Sequence, residues 1–250
     1  MLRKLIDKEF ESFIESYIIE NGFENLITKP YIRYADTKDS KFLQLKEIIC
    51  SEHHLPTDFL KDAVSVLSYF LPLTTVSAGT AEEGSDKYIV YNKVYALTKQ
   101  MIPKINLHLI NYINKLGYKA VSPYDTAPIS KECMISRWSE KHIGAIAGLG
   151  TFGINGQLIS DYGCAGRIST LVTTLPIEAD KSIDEERCIY KKNGGCGLCI
   201  KSCVSGALTK NGFDKYKCMK YNEELAKSGL GEKNKCAFCS RGVPCAYKVP

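Results

Sequence analysis

The cysteines of residues 188–245 constrain this chain more than any other feature of its sequence. Eight of the eleven cysteines lie there, separated by gaps of 7, 2, 3, 14, 17, 2 and 5 residues. They are Cys188, Cys196, Cys199, Cys203, Cys218, Cys236, Cys239 and Cys245. In a C-x2-C pair, one tight loop presents two sulfurs to one metal or cluster, and this stretch contains two such pairs. Eight thiolates suffice for two [4Fe–4S] clusters with four ligands each.

Zinc is the main alternative, because two all-cysteine tetrahedral sites also use eight thiolates. Zinc sites usually pair one C-x2-C with a second, whereas lone cysteines surround both pairs here. Disulfides require an oxidising compartment, and the charged N-terminus lacks the apolar segment of a signal peptide. No apolar run is long enough to predict a membrane span. The pattern therefore favours iron–sulfur clusters in a cytoplasmic protein with no membrane partner.

The positive charge of the chain is concentrated around these cysteines. The net charge is +5, and residues 186–250 alone contain 13 Lys+Arg and 5 Asp+Glu. A basic segment of this kind can indicate nucleic-acid binding. It can equally compensate two clusters, since each oxidised cluster with four thiolates carries about −2. Charge alone leaves both interpretations open.

Hydrophobic periodicity predicts an α/β (α+β) domain over residues 1–184 and a separate cysteine domain over residues 185–250. Apolar residues at helical spacing predict an opening helix that ends near Gly22. A β-branched run predicts a buried strand within residues 62–71. A long helix is expected over residues 88–116, with Pro103 kinking or dividing it. Further strands are expected at residues 119–122, 157–160 and 167–174.

A second group of candidate residues lies between residues 124 and 156. Asp125 and Thr126 precede Pro128, a position where both residue types commonly cap a helix. His142 lies on a predicted helix one turn after Trp138, and packing is its more common role, although we keep it as a pocket candidate. Outside the cysteine-rich stretch, Cys50, Cys133 and Cys164 are interpreted as structural thiols.

The glycines that follow this predicted helix formally match G-x-G-x-x-G. They are Gly148, Gly150 and Gly153. A dinucleotide site needs these glycines after a strand and at the start of a helix, whereas here they follow a helix and precede a strand. We therefore reject a nicotinamide site. The glycines still allow close approach of the backbone to a flat or bulky group.

Four motifs in one order resemble the epoxyqueuosine reductase family, the cytoplasmic relatives of the reductive dehalogenases. They are Asp125-Thr-Ala-Pro, Ala147-Gly-Leu-Gly-Thr-Phe-Gly-Ile-Asn, Ser160-Asp-Tyr-Gly and Leu-Pro-Ile-Glu-Ala-Asp180. The last motif leads into the cysteine-rich stretch. The resemblance covers roughly residues 60–250 and is strongest from Asp125 onward.

The resemblance implies a cobalamin held by the N-terminal domain beside a C-terminal ferredoxin-like module with two [4Fe–4S] clusters. Electrons would pass from the clusters to the cobalamin, which would reduce a small or nucleoside-like substrate. Asp125 matches the family's proton donor. The positions implied near the cobalamin are Thr126, His142, Gly148, Gly150, Thr151, Phe152 and Gly153. The implied cluster ligands are Cys188, Cys196, Cys199 and Cys245 for one cluster and Cys203, Cys218, Cys236 and Cys239 for the other.

Several positions depart from the family pattern. Thr151 and Ile154 stand where the reductase commonly has Trp and Lys, and Val204 replaces a proline after the cysteine run. We expect a short form of the family without its helical-repeat tRNA-binding extension, so tRNA is a doubtful partner. The expected partner is a low-potential electron donor such as ferredoxin or flavodoxin. The alternative function is a two-cluster electron-transfer protein without cobalamin that reduces a partner protein, such as a corrinoid protein.

Overall fold

The structure is a computed structural model that describes residues 1–78, 86–125, 129–130, 135–227 and 236–250. Thr126 and Cys133 lie outside the described residues. The helices are α1 (Leu2–Asn21), α2 (Lys41–Ile48), α3 (Pro56–Phe59), α4 (Thr75–Ala78), α5 (Asp86–Lys115), α6 (Glu140–Ile146), α7 (Ile189–Asn193), α8 (Leu198–Lys201), α9 (Lys215–Lys227) and α10 (Phe238–Arg241). The strands are β1 (Tyr31–Asp36), β2 (Ser65–Pro72), β3 (Ala120–Val121), β4 (Ile129–Ser130), β5 (Ile135–Ser136), β6 (Gly150–Phe152), β7 (Leu158–Ser160), β8 (Gly166–Thr173), β9 (Leu208–Thr209) and β10 (Gly212–Phe213).

The central sheet has four strands in the order β1-β2-β8-β3, and every neighbouring pair is antiparallel. β2 lies in the middle of the sheet, and all eight of its residues are buried. This explains the apolar, β-branched run that predicts it, because a strand covered on both faces needs no polar alternation. The sheet and its helices form a mixed α/β architecture.

Helices cover both faces of this sheet. On one face, Phe10 of α1 and Ile105 of α5 pack with Tyr69 of β2 in the largest core cluster. On the other face, Trp138, just before α6, and Ile143, within it, pack with Val66 of β2. Alternate side chains of β2 point to opposite faces, so one strand supplies both cores.

The predicted helices are confirmed, with one difference at the proline. α1 ends at Gly22, whose left-handed φ of 70° closes the helix as predicted. α5 runs without interruption from Asp86 to Lys115 through Pro103, so division of the helix, one of the two outcomes expected at Pro103, does not occur, and a kink there stays a prediction. A proline removes one backbone donor, and the packing of α5 against the sheet outweighs that loss here.

The cysteine-rich stretch shares the main core with the N-terminal part of the chain. Cys199, Leu208, Val243 and Ala246 belong to the same buried cluster as the residues of α1 and α5. The division between residues 184 and 185 stays a prediction. No helix among the described residues is long and apolar enough to cross a membrane.

Candidate iron–sulfur and cofactor site

Short helices and the loops between them present the eight cysteines. Cys188 caps the N-terminus of α7, and Cys199 lies in α8. Cys218 lies in α9, and Cys239 lies in α10. The other four lie in the adjoining loops, which are Cys196, Cys203, Cys236 and Cys245. Each C-x2-C pair thus ends in a single helical turn, the geometry that lets two sulfurs face one group.

The cysteines line two neighbouring pockets in two sets of four. Cys188, Cys196, Cys199 and Cys245, here called the first set, line a small pocket with Ile154 and Tyr190. Cys203, Cys218, Cys236 and Cys239, here called the second set, line a larger cavity of about 700 Å³. Asn155 lines both. Among the described residues, no three His, Cys, Asp or Glu side chains are grouped so as to hold a single metal ion.

The thiols of each set lie close enough to influence one another electrostatically. Burial and the neighbouring thiolates raise the pKa of Cys199 to about 11. Those neighbours are Cys245, Cys188 and Cys196, the rest of the first set. Burial and neighbouring thiolates likewise raise the pKa of Cys239 to about 12. Its neighbours are Cys236, Cys203 and Cys218, together with Cys199 of the first set. Four thiols whose ionised forms would repel one another are a donor set that suits a cationic metal centre.

Hydrogen bonds orient two thiols of the second set. Burial opposes ionisation of Cys203, but hydrogen bonds from Ser205 and from backbone N–H groups outweigh it and lower the pKa of Cys203. The N–H group of Leu208 donates to Cys203 Sγ at 3.3 Å. Asn222 Nδ2 lies 3.7 Å from Cys218 Sγ. Its Oδ1 accepts from the N–H of Cys236 at 2.9 Å. Donors of this kind stabilise thiolate ligands.

The large cavity beside the second set is electropositive. Its lining includes Lys141, Arg167, Lys215 and Arg241, with Glu223 as the acidic side chain. Lys141 donates to the carbonyl oxygen of Gly156 at 2.7 Å. Burial lowers the pKa of Lys141, and the nearby thiols of Cys239 and Cys164 oppose that shift.

Aromatic rings hold two of the arginines in this cavity. Arg241 is buried, and its guanidinium lies 4.4 Å from the ring centroid of Tyr91. Arg167 lies 4.6 Å from the ring of Tyr95. Tyr91 and Tyr95 come from α5, so the long helix forms one wall of the cavity. Its volume is within the 300–1,000 Å³ typical of cofactor pockets.

The residues predicted to lie near a cobalamin do not all line one of the two pockets. Asp125 ends a 3₁₀ turn that begins at Pro123. Gly153 lines the small pocket. The remaining described candidates line neither of these two pockets, and they are His142, Gly148, Gly150, Thr151 and Phe152. Their role beside a corrin stays a prediction.

Local contacts account for these candidates without a ligand. His142 packs 4.5 Å from the ring of Phe152 and contacts the Ser139 hydroxyl at 2.8 Å. Burial lowers the pKa of His142 to about 4, which keeps the ring neutral. The Thr151 hydroxyl accepts from the N–H of Arg187 at 3.2 Å. The carbonyl of Phe152 accepts from Lys191 at 2.9 Å.

The glycines of the run are required by the protein's own backbone. A side chain at Gly150 would overlap the carbonyl oxygen of Ile159 on β7, the strand that pairs with β6. Gly148 has φ +85°, and a side chain there would overlap the carbonyl oxygen of Lys181. The sequence predicted that another group approaches the glycine backbone closely. In the structure, the segments at Ile159 and Lys181 of the protein itself make that approach.

A buried polar network holds the backbone just before Asp125. Tyr69 donates its hydroxyl proton to Asn106 Oδ1 at 2.8 Å. Asn106 Nδ2 donates to Ser122 Oγ at 2.9 Å, and that oxygen also accepts from the N–H of Tyr124 at 3.3 Å. The network anchors the turn that carries Asp125 to α5 and β2. Sequence patterns did not identify Asn106, because an isolated polar residue in a helix carries no motif.

Two curated proteins are similar to this chain in sequence. No protein-family model matches the chain. The epoxyqueuosine reductase of Bacillus cereus is 27% identical over 129 residues, which are 51% of this chain and 30% of that protein. The epoxyqueuosine reductase of Leadbetterella byssophila is 28% identical over 165 residues, which are 66% of this chain and 48% of that protein. The match spans less than half the length of either curated relative.

Solved structures of proteins of the same kind also resemble this chain in fold. The epoxyqueuosine reductase of Streptococcus thermophilus has a TM-score of 0.55 at 18% identity, covering 93% of this chain and 66% of that one. A reductive dehalogenase whose structure suggests a mechanism for B12-dependent dehalogenation also has a TM-score of 0.55, at 14% identity, covering 84% and 29%. The chain has the epoxyqueuosine reductase/reductive dehalogenase-like fold. The resemblance stated from the sequence motifs is therefore confirmed at the level of the fold.

Proposed function

We propose that this protein is a reductase in which two [4Fe–4S] clusters pass electrons to a bound cobalamin that reduces a small or nucleoside-like substrate. The observation that carries the proposal is the division of eight cysteines into two sets of four around neighbouring pockets. The distant homology to epoxyqueuosine reductases and B12-dependent reductive dehalogenases supports the same chemistry.

The donor chemistry of both sets suits cubane clusters. In the proposal, the first set holds one cluster and the second set holds the other, with thiolates as the ligands. Cations near these thiolates, such as Lys141 and Arg241, would stabilise the additional negative charge of the reduced clusters. Because Asn155 lines both pockets, the two clusters would be neighbours in this proposal.

The large cavity suits a bulky cofactor beside the second set. A bound cobalamin would supply a strong, low-potential reductant there. Tyr91 and Tyr95 offer flat apolar surface, and Arg167 and Lys141 offer hydrogen-bond donors for polar substituents.

Asp125 is assigned the role of proton donor. Its backbone belongs to the 3₁₀ turn that the Tyr69–Asn106–Ser122 network anchors. A carboxyl group that donates a proton must remain protonated at working pH, which an apolar cofactor face can achieve. The electron donor in this proposal is a low-potential ferredoxin or flavodoxin.

Metal analysis tests this proposal directly. We would prepare the protein anaerobically with cobalamin supplied and measure iron, cobalt and zinc per chain. About eight irons and one cobalt are expected. About eight irons without cobalt would contradict the cobalamin assignment and favour an electron-transfer protein that reduces a partner. About two zincs with little iron would contradict the clusters as well.

A further inference from the structure

Cys164 belongs to neither set of four, yet it contacts a member of the first set. Its N–H group donates to the carbonyl oxygen of Cys245 at 2.8 Å. The two Sγ atoms are 4.0 Å apart. Cys164 also lines the large cavity beside the second set, and it is 6% exposed. The thiol is therefore buried between the two proposed cluster sites.

Asn155 determines which way the Cys164 thiol points. Its side chain is 4% exposed, and Nδ2 lies 2.7 Å from the carbonyl oxygen of Cys239 and 3.9 Å from Cys164 Sγ. Because an amide N–H donates to it, Cys164 Sγ acts as an acceptor on that side. Its own proton is then directed to the remaining acceptors, which are Cys245 Sγ and the Ser240 carbonyl oxygen at 3.9 Å.

We propose that Asn155 and Cys164 form a hydrogen-bonded bridge between the two sites that raises the reduction potential of the cluster held by the first set. Both are positioning residues, since they act through Cys245 and Cys239. The proposal rests on the clusters of the proposed function and is independent of cobalamin and substrate.

The sign of the effect follows from charge. On reduction, the [4Fe–4S]²⁺ core takes up one electron from a low-potential donor and becomes [4Fe–4S]⁺, with no proton transferred and no bond broken. The cluster with its four thiolates changes from about −2 to about −3. A donor aimed at a ligand sulfur stabilises the more negative state, so it raises the potential. Removing the donor makes the potential more negative.

Redox titration of anaerobically loaded protein tests the bridge. Wild type, Cys164→Ala, Cys164→Ser and Asn155→Ala would be reduced stepwise with dithionite and followed by electron paramagnetic resonance. Cys50→Ala is the matched control, because it removes a thiol outside both sets. We expect about eight irons in every variant. In Cys164→Ala, one of the two potentials should fall by about 59 mV, which is a tenfold change in the ratio of reduced to oxidised cluster.

The other variants separate the donor from a packing effect. Cys164→Ser keeps a proton donor in nearly the same volume. The cluster potential of this variant should therefore lie closer to the wild-type value than the potential of Cys164→Ala does. Asn155→Ala frees the thiol to turn, so its potential should shift in the same direction as in Cys164→Ala. Cys50→Ala should leave both potentials unchanged.

Three results would overturn the bridge. One is unchanged potentials in Cys164→Ala or, if that variant does not fold, in Asn155→Ala. Another is the loss of about four irons in Cys164→Ala, which would make Cys164 a ligand. The third is zinc in place of iron in the wild type, which would remove the clusters from the proposed function as well. Iron without cobalt would contradict only the cobalamin, and the bridge would still be measurable.

Discussion

Cys164 and Cys245 are joined by a backbone hydrogen bond of 2.8 Å, although 81 positions separate them in the sequence. The next residues repeat the contact, since the N–H of Ala165 donates to the carbonyl oxygen of Ala246 at 2.8 Å. Ala165 directly precedes β8, so the last cysteine of the chain is attached to the start of a central strand. Backbone hydrogen bonds therefore join the central sheet to the cysteine-rich stretch.

The first prediction concerns the division of the cysteines. Cys199→Ala should lower iron from about eight to about four per chain and leave the second cluster intact, because each set holds its own four-iron cluster. Cys239→Ala should give the same iron count with the other cluster remaining. Iron analysis and electron paramagnetic resonance would measure this. Cys50→Ala should keep full iron. Identical residual spectra in the two variants would contradict the division.

The second prediction concerns Asp125. Asp125→Asn removes the transferable proton and keeps the size of the side chain, so turnover should fall by about 10²- to 10⁴-fold. Iron and cobalt content should stay at the wild-type level. Asp62→Asn is a suitable control, because Asp62 pairs with Lys119 at the surface. Full activity in Asp125→Asn would leave Asp125 with a structural role only.

The third prediction concerns pH and Glu140. Burial raises the pKa of Glu140 to about 8, against a smaller opposing effect of Thr170. Both carboxyl oxygens of Glu140 are buried. Since the folded state holds this proton more tightly than the unfolded state, stability is lost as pH rises from about 4.5 to about 8.

Glu140→Gln should abolish that dependence, because glutamine mimics the protonated carboxyl group. The difference in unfolding free energy between variant and wild type should grow by at most about 1.4 kcal/mol per pH unit across this window. Denaturant unfolding at pH 5 and pH 8 measures it. Glu47→Gln, at an exposed site of α2, is the control. A constant difference at both pH values would contradict the prediction.

The fourth prediction concerns the glycine run. Gly150→Ala places a methyl group against the carbonyl oxygen of Ile159, so it should destabilise the fold by about 3 kcal/mol. Gly156→Ala is the matched comparison, because its φ is +68° but no atom lies within 4 Å of the added group. Gly156→Ala should lower the free energy of unfolding by about 1 kcal/mol. Thermal unfolding would measure both. Equal losses would show that contact with β7 does not explain Gly150.

Much of the local structure was predictable from the sequence. The periodicity of α1 and the β-branched run of β2 each reflect a single element facing a core, and such patterns are visible in a short window. Of the two outcomes expected at Pro103, a kink or a division of the helix, division does not occur, because a local rule about proline ignores the packing of α5 along the sheet. The glycine run illustrates the same limit, since the partner of Gly150 lies on a neighbouring strand.

The sequence by itself determined the number and type of the thiol donors, the positions of the main helices and strands and, through four ordered motifs, the fold. Only the tertiary structure decided that Asn155 lies between the two pockets, that Cys164 contacts Cys245, and that Asn106 anchors the turn before Asp125. The physical reason is distance along the chain. Periodicity and spacing record interactions between near neighbours, whereas these contacts depend on how separate segments pack around one core.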